Sequence, residues 1–361
     1  MKIGILTFHC AHNYGAVLQC YALQEYLKSC GHSVFVIDYR PTYFTNSRDY
    51  KKFSLRLFIT KNLSLLPKTF YEAIKFFNAR ITKWNAFEKF IKDYLNLYSP
   101  GRQFDGSDFD ACIIGSDQVW NNRITGGVFD KMYFGADFKC DVISYAASTI
   151  SSGFTIDEEV SLKRLLSNFK AISVREQTLS GALKKIGINN IPVVLDPTIL
   201  AGHAPLAKLI SQNSIDRPYV AVYMVRKDSK LIEYARKYCS MHKLQLLEIA
   251  NDFNIERHKN KIYTAGIEDF VTIINNADFV ITNSFHGTAV SILLQKQFIA
   301  IRQNGPIDNR IEQILYDFKL LDRFIQSDDI ATFDNIDYTT VNQYIETYRQ
   351  KSIEYLTKAL S

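Results

Sequence analysis

The segment 278–288 carries the sharpest chemical signal in the sequence. Its apolar run, Phe279 to Thr282, predicts a buried strand, and the apolar residues after Gly287 predict a helix. His286 would then lie at the N-terminus of that helix, where free backbone N–H groups favour an anion and an imidazole can transfer protons near neutral pH. A single histidine is more often structural, but this position favours a catalytic role for His286 over the other six histidines.

A second polar loop, 115–121, follows another apolar run, 111–114. In open α/β sheets ligands bind beyond the carboxyl ends of the strands, so this loop is a candidate for substrate contact. Asp117 has either a functional role, as the acceptor of a proton from a hydroxyl or as a ligand of a sugar diol, or a structural role as a helix cap; a functional role is favoured. Trp120 either stacks on a sugar ring or fills the core.

Arg175 falls at a further strand-to-helix turn, 173–176. Its guanidinium is suited to bind a phosphate or a carboxylate through two N–H groups. The alternative is an ion pair with Glu176 or another neighbour. Side chains that are adjacent at a turn rarely point the same way, which favours anion binding.

Two other loops give weaker signals. In the turn 13–16, Gly15 allows a tight bend and the next helix presents N–H groups to an anion or a sugar, or the turn is simply a connection. The small residues of 144–148 permit either close approach of a ligand or tight packing. The sequence has no G-x-G-x-x-G, so a dinucleotide site has little support.

Alternating strand and helix patterns predict an α/β fold of two Rossmann-like, doubly wound domains that face a cleft. We place the junction in the polar stretch 201–217, which gives an N-terminal domain of residues 1–204, on the acceptor side, and a C-terminal domain of residues 205–361. The tail, 339–360, predicts one closing helix. The other strands are predicted at 2–8, 33–38, 142–147, 171–174, 191–195, 219–224, 243–249 and 297–301, and the other helices at 16–30, 158–168, 177–186, 230–239, 267–276 and 288–294.

The segment 44–98 interrupts this alternation and predicts a helical insert. It is basic, so it is the best candidate for contact with an anionic membrane surface, although a solvated helix face over the core is favoured. The basic residues on which the membrane alternative rests are Lys51, Lys52, Arg56, Lys61, Lys68, Lys75, Arg80 and Lys83.

The bulk composition narrows the class of protein. A charge of +6 over 361 residues is mild, and no basic run is interleaved with aromatic residues, which argues against a nucleic-acid partner. The six cysteines form no C-x-x-C pair, which argues against zinc and redox motifs. With neither a signal peptide pattern nor an apolar run of about 20 residues, we expect a cytoplasmic protein; under the less favoured membrane alternative, the basic insert would contact the inner face of the membrane.

Together, these motifs resemble the polysaccharide pyruvyl transferase family. The resemblance runs from Asn13-Tyr14-Gly15-Ala16 through the loop 115–121, the turn 173–176 and Asp196-Pro197-Thr198 to Ser284-Phe285-His286-Gly287. It implies a GT-B-like fold and the transfer of a pyruvyl group from phosphoenolpyruvate to two hydroxyls of a sugar. The product would be a pyruvate ketal on a precursor of a bacterial surface glycan such as a capsule or exopolysaccharide.

The resemblance also implies roles for individual residues. His286 would be the catalytic acid/base and Arg175 would bind phosphoenolpyruvate, with Asp117 as a candidate base for the hydroxyl. Phosphoenolpyruvate would be the donor substrate rather than a cofactor, and no cofactor or metal is expected. We expect the remaining substrate contacts from Asn13, Gly15, Ser116, Gln118, Asn121, Ser284, Phe285, Gly287 and Thr288.

The chain departs from the family at Ser284, where many members carry arginine. Either Arg302 or Arg310 supplies the missing anion contact, or the donor differs. One alternative function is a GT-B glycosyltransferase that uses a nucleotide sugar, for which Glu268 is an available ribose contact. Another is a non-catalytic protein whose two lobes close on a solute. The acceptor glycan, lipid-linked or free, is not identified by the sequence.

Overall fold

Two parallel β-sheets, one in each half of the chain, organise the computed structural model. Helices connect the strands of both sheets, so the predicted α/β fold of two Rossmann-like domains is confirmed. The structure describes residues 1–45, 66–101, 104–151, 153–212, 218–253, 260–329 and 333–361.

The first sheet has the strand order β3-β2-β1-β4-β5, and every pairing in it is parallel. Its middle strands are apolar and buried on both faces, as expected for a sheet covered by helices on both sides. Its strands are β1 (Lys2–Leu6), β2 (Ser33–Ile37), β3 (Leu97–Tyr98), β4 (Ala111–Ile114) and β5 (Asp141–Ser144). The helices of this half are α1 (Tyr14–Ser29), α2 (Thr42–Thr45), α3 (Leu66–Lys75), α4 (Phe77–Tyr94), α5 (Ile156–Leu166), α6 (Gln177–Lys185), α7 (Pro197–Ala201) and α8 (His203–Ala207).

The second sheet has the order β11-β10-β9-β6-β7-β8 and is also parallel throughout. Its strands are β6 (Tyr219–Tyr223), β7 (Gln245–Ile249), β8 (Lys261–Ile262), β9 (Phe279–Thr282), β10 (Phe298–Ile301) and β11 (Phe324–Ile325). Its helices are α9 (Ser229–His242), α10 (Ile267–Asn276), α11 (Phe285–Leu293) and α12 (Asp308–Asp317), and α13 (Tyr338–Leu360) ends the chain. None of the helices in the described ranges combines the length and the apolar content that a membrane span requires.

The strands predicted at 171–174 and 191–195 are not formed as regular strands, so that prediction was wrong. Only single parallel bridges occur there, at Ala171, Val174 and Val193. Hydroxyl groups account for part of the irregularity: Ser144 donates to the carbonyl of Ser173 and accepts from its N–H, contacts that compete with the ladder of the sheet.

The predicted insert is helical where the structure describes it, in α3 and α4, and β3 then returns the chain to the edge of the first sheet. Residues 46–65, with four of the basic residues of the membrane hypothesis, lie outside the described residues. Two of the described cations face the protein. Arg80 lies over the ring of Phe253 at 4.4 Å, and Lys83 donates to the carbonyl of Ala250 at 2.7 Å.

The two halves pack directly on one another through Tyr14 at the start of α1. Its ring stacks on Phe270 of α10 with 4.7 Å between centroids, and its hydroxyl donates to the carbonyl of Ala265. The last helix, α13, returns to the first half, where Ser352 accepts a hydrogen bond from the N–H of Leu195 at 3.0 Å. These contacts hold the carboxyl ends of both sheets against each other.

Candidate active site

His286 lies in the first turn of α11, at the carboxyl end of β9. The two residues after β9 turn the chain, and Ser284 caps the helix by accepting from the N–H of Gly287 at 3.2 Å. The helix begins three residues earlier than predicted, which places His286 inside it. The histidine is 8% exposed. Within the described residues, its Nε2 is buried and has no hydrogen-bond partner.

The imidazole of His286 packs on the first turn of a helix from the other half of the chain. Asn13 caps α1 by accepting from the N–H groups of Gly15 (3.0 Å) and Ala16 (3.2 Å). A Cβ atom at Gly15 would lie 2.0 Å from Nδ1 of His286, so only glycine permits the observed contact. The N-termini of α1 and α11 therefore meet at the imidazole, and their helix dipoles both favour an anion there.

Asp196 is the carboxylate that faces His286. It caps α7, with Oδ1 accepting from the N–H of Thr198 at 2.9 Å and Pro197 at the first helical position. Its Oδ2 lies 3.6 Å from His286 Nε2 and accepts from Arg175 at 2.7 Å. Burial opposes its ionisation, but His286 and Arg175 together hold the pKa of Asp196 well below its usual range. The site therefore keeps an ionised carboxylate beside the imidazole.

Arg175 lies at the centre of this network, with its side chain 2% exposed. Its guanidinium is 4.7 Å from the ring of Phe285 in α11. Each guanidinium nitrogen donates a hydrogen bond: Nε to Glu176 (3.3 Å), Nη1 to Asp196 (2.7 Å) and Nη2 to Ser148 (3.1 Å). The expectation that residues 175 and 176 point apart was wrong, because both turn into the same buried cluster.

The loop 115–121 contributes Ser116 and Asp117 to the cluster. The single hydroxyl of Ser116 lies within donor distance of two acceptors, the carbonyl of Ala146 at 2.9 Å and Asp196 at 3.3 Å. Asp117 has a left-handed backbone (φ 68°), and its carboxylate lies 3.8 Å from Arg175 Nη2. No helix begins at this aspartate, so the capping alternative was wrong.

The three carboxylates around Arg175 determine its ionisation. Burial alone would lower the pKa of Arg175, but Glu176, Asp196 and Asp117 raise it above its usual value. The guanidinium is therefore permanently charged, and it is held in one orientation by the groups that neutralise it.

Arg310, in the first turn of α12, is the second guanidinium near the cluster, and it is 7% exposed. Burial lowers the pKa of Arg310, and the positive charge of Arg175 lowers it further. In the part of the chain that the structure describes, its Nε is buried and has no hydrogen-bond partner. Arg302 instead pairs with Glu312 at 3.0 Å. Of the two arginines expected to compensate for Ser284, Arg310 is the one near Arg175.

Four other expected contact residues make hydrogen bonds within their own loops or helices. Gln118 accepts from Asn121 at 2.8 Å, and Thr288 donates to the carbonyl of Ser284 at 3.0 Å. Gly287 is required by packing, since a Cβ there would lie 2.3 Å from the hydroxyl of Thr282. The side chains of Gln118, Asn121 and Thr288 therefore have partners within the protein, and Gly287 is explained by packing.

Trp120 fills the core of the first half. Its indole stacks on Phe134 with 5.5 Å between centroids and donates to the carbonyl of Tyr133 at 3.0 Å. Only 2% of it is exposed, so of the two alternatives for this residue the structure selects the core.

Two further features lie apart from His286. Glu268 of α10 accepts a hydrogen bond from the hydroxyl of Tyr94 at 2.6 Å. A cavity of 930 Å³ is lined by residues at the amino ends of β9 and β10, among them Asp278 and Gln297, at the edge of the second sheet opposite to His286.

Within the described ranges, no group of three or more His, Cys, Asp and Glu side chains has the geometry to hold a metal ion.

A comparison with protein families agrees with this geometry. The model of the family described as polysaccharide pyruvyl transferase matches residues 13–305, which include every residue of the cluster except those of α12. The chain belongs to this family. No curated protein sequence matches the chain.

Solved structures with similar folds are distant in sequence. The UDP-GlcNAc 2-epimerase of Methanocaldococcus jannaschii is 12% identical, with a TM-score of 0.52, and the match covers 99% of this chain and 100% of that one. The UGT89C1 of Arabidopsis thaliana is 11% identical, with a TM-score of 0.49, over 99% of both chains. The first likeness places this pyruvyl transferase family member in the GT-B-like fold predicted from the sequence.

The sequence analysis did not assign a role in the site to Asp196, Glu176 or Ser148. Asp196 had a usable signal, because an Asp-Pro pair after an apolar run predicts a helix cap at the carboxyl end of a strand. No sequence pattern near Asp196 shows that this cap also faces His286, ninety residues later in the chain. Ser148 ends a loop of small residues for which packing and ligand contact were both open.

Proposed function

We propose that this polysaccharide pyruvyl transferase uses phosphoenolpyruvate as its donor and forms a pyruvate ketal on two hydroxyls of a sugar in a surface-glycan precursor. The observation that carries the proposal is the convergence of His286 with two buried guanidinium groups, Arg175 and Arg310, around Asp196. A proton donor beside paired cations is what a substrate with an enol double bond, a carboxylate and a phosphate requires.

The reaction begins with proton transfer from His286 to the methylene carbon of phosphoenolpyruvate. The neighbouring carbon then carries cationic character, and a sugar hydroxyl adds to it and loses its proton. The C–O bond to phosphate breaks and phosphate leaves, and a second hydroxyl then adds, gives its proton to His286 and closes the ketal. The sum is phosphoenolpyruvate plus a diol giving ketal plus inorganic phosphate, with no oxidation or reduction.

Other residues of the cluster have matching tasks in this proposal. Asp196 stabilises positive charge on the imidazole from 3.6 Å. Asp117, whose side chain is 14% exposed, takes the proton of the incoming hydroxyl. Arg310 donates directly to the phosphate or carboxylate, and Arg175, whose nitrogens are engaged, holds a second positive charge behind it.

The test is calorimetric titration of phosphoenolpyruvate into the wild type and into Arg175→Ala, Arg310→Met and Arg302→Met variants. Hydrogen bonds to charged groups contribute about 1.5–3 kcal/mol, so loss of the Arg310 contact is expected to weaken binding by about 10- to 150-fold. Arg175→Ala also weakens binding, and Arg302→Met, the matched control, does not. A wild type that binds a nucleotide sugar but not phosphoenolpyruvate would contradict the proposal and favour glycosyl transfer.

A further inference from the structure

The cavity of 930 Å³ at the amino ends of β9 and β10 has no part in the proposed reaction. One wall is α9, a second is formed by Asp278, Phe279 and Gln297 at the starts of the two strands, and a third by residues that follow β11. The four residues of β9 span about 13 Å, and His286 lies beyond their other end. A ligand in the cavity therefore occupies a site separate from the imidazole. The volume lies within the range of about 300–1,000 Å³ that is usual for small-molecule sites.

The cations around this cavity are already neutralised by partners of opposite charge. The pairs are Lys230 with Asp328 (2.9 Å), Lys237 with Glu233 (3.0 Å) and Arg323 with Asp322 (2.9 Å). The other two carboxylates, Asp278 and Asp329, each accept one backbone N–H, at 2.9 and 2.7 Å. Among the described residues that line the cavity, no lysine or arginine is left without an ionic partner. An anionic ligand is therefore disfavoured, and a neutral ligand with hydroxyl donors for the carboxylates is favoured.

Neutral polar groups of the cavity, in contrast, have hydrogen bonds to offer. In the part of the chain that the structure describes, the hydroxyls of Tyr234 and Tyr238 form no hydrogen bond. The side-chain carbonyl of Gln297 accepts from the N–H of Ile336 at 2.8 Å, and its NH₂ group donates to no described residue. Hydroxyl groups that donate and accept, beside an amide that donates, suit a ligand that is itself rich in hydroxyls.

Aromatic rings of α9 supply the apolar part of the cavity. The ring of Tyr238 stacks on Phe279, with 4.4 Å between centroids, and on His242, with 4.2 Å, and these contacts hold it in place. Tyr234, one turn earlier on the helix, stacks on no ring in the described ranges, so it can stack on a ligand. A tyrosine combines an apolar ring with a polar hydroxyl, which suits the C–H faces and the hydroxyls of a sugar.

We propose that this cavity is a second glycan site, which binds a neutral oligosaccharide segment of the polysaccharide on which the enzyme acts. The inference rests on the proposed function for the identity of the acceptor. A polymer long enough to reach both edges of the sheet can leave one segment in the cavity and present another to His286. Binding of the first segment raises the effective concentration of the second at the active site. Long acceptors are therefore used at a lower KM than single repeat units.

The test is an array of neutral oligosaccharides from bacterial surface polysaccharides, probed with the labelled full chain in the absence of phosphoenolpyruvate. We expect the wild type to bind, and we expect Tyr234→Ala to weaken binding by about tenfold or more, because the ring and its hydroxyl are both lost. Tyr316→Ala, which removes an exposed tyrosine of α12 outside the cavity, is the matched control and leaves binding unchanged. Absence of binding by the wild type, or equal binding by Tyr234→Ala, overturns the proposal.

Two further variants separate the cavity from the fold and from the active site. Tyr234 packs against the core of the second half, so thermal unfolding checks the alanine variant. Tyr234→Phe retains the ring and is expected to weaken binding by a smaller factor, which keeps the test decisive if Tyr234→Ala does not fold. A glycan whose binding is lost in Asp117→Asn but not in the Tyr234 variants occupies the active site, which overturns the second site.

A kinetic measurement and a measurement of mass complete the test. Since the array contains no phosphoenolpyruvate, its result stands even if the proposed donor fails. With the donor present, Tyr234→Ala is expected to raise KM for the polymer and not for a single repeat unit, with kcat unchanged; an equal rise for both overturns the proposal. If sedimentation shows a dimer for the wild type and a monomer for Tyr234→Ala, the surface belongs to a second copy of the chain, which also overturns it.

Discussion

The carboxyl ends of the two sheets contribute groups of opposite character to the site. In the first half, each guanidinium nitrogen of Arg175 already has a protein partner. In the second half, His286 Nε2 and Arg310 Nε are buried, and neither finds a hydrogen-bond partner in the described residues. Buried polar atoms are rarely left unpaired without a functional reason. Glu176 Oε2 and Thr198 Oγ1 of the first half also lack a partner there, so the contrast concerns the basic groups: the first half holds the guanidinium of Arg175 on a fixed platform, and the second half leaves one nitrogen of His286 and one of Arg310 without a partner.

Replacing His286 by alanine gives the largest expected effect on activity. A positioned acid contributes about 10²–10⁴-fold, so phosphate release from phosphoenolpyruvate with acceptor is expected to fall by that factor. The variant is expected to remain folded but to lose some stability, because the buried imidazole faces Asp196 at 3.6 Å and lowers the pKa of that carboxylate; thermal unfolding checks this. Unchanged turnover would remove His286 from the mechanism and with it the contrast between the two halves.

Replacing Asp196 by alanine tests the platform itself. It leaves the buried Arg175 without its closest partner and removes the cap of α7, so the free energy of unfolding is expected to fall by about 3–5 kcal/mol. Chemical denaturation measures this loss. Asp196→Asn, which retains an oxygen for the cap, is the control and loses less.

The same carboxylate predicts a pH dependence of stability. Its pKa is depressed in the folded protein, so its contribution is complete above its unfolded value of about 3.9 and is lost as the pH falls below that value. The stability difference between the wild type and Asp196→Asn should therefore stay constant from pH 7 to about pH 4 and narrow as the pH falls further toward 3. If the difference in the free energy of unfolding between the two proteins stayed constant across this range, ionisation of Asp196 would not stabilise the fold.

Gly15→Ala tests the contact between the halves with a single methyl group. The new Cβ would lie 2.0 Å from His286 Nδ1 and must displace the ring. A displacement of about 1 Å costs on the order of 10²-fold in rate, so turnover falls while the helix stays intact. Gly181→Ala in α6, where a Cβ meets nothing within 4 Å, is the control and is expected to stabilise by about 1 kcal/mol or less. Equal activity of the two variants would separate the imidazole contact from catalysis.

The sequence predicted those parts of the site that local patterns encode. A buried strand followed by Ser-Phe-His-Gly predicts a histidine at a helix N-terminus, and His286 is found there. It did not predict that Arg175 and Glu176 turn into one cluster, because that orientation follows from the burial of both side chains in the folded protein. Trp120 also stayed undecided until its stacking on Phe134 placed it in the core.

The sequence by itself determined the α/β class, the two domains' alternating elements and the family, because hydrophobic periodicity and short motifs depend only on neighbours along the chain. Only the tertiary structure decided which of the two candidate arginines lies near Arg175, and which carboxylate faces His286. Asp196 and Arg310 reach the site from opposite halves, and the packing of α1 against α10 and α11 brings them together. Contacts between residues so far apart in the chain depend on how the two cores fit, which no local pattern encodes.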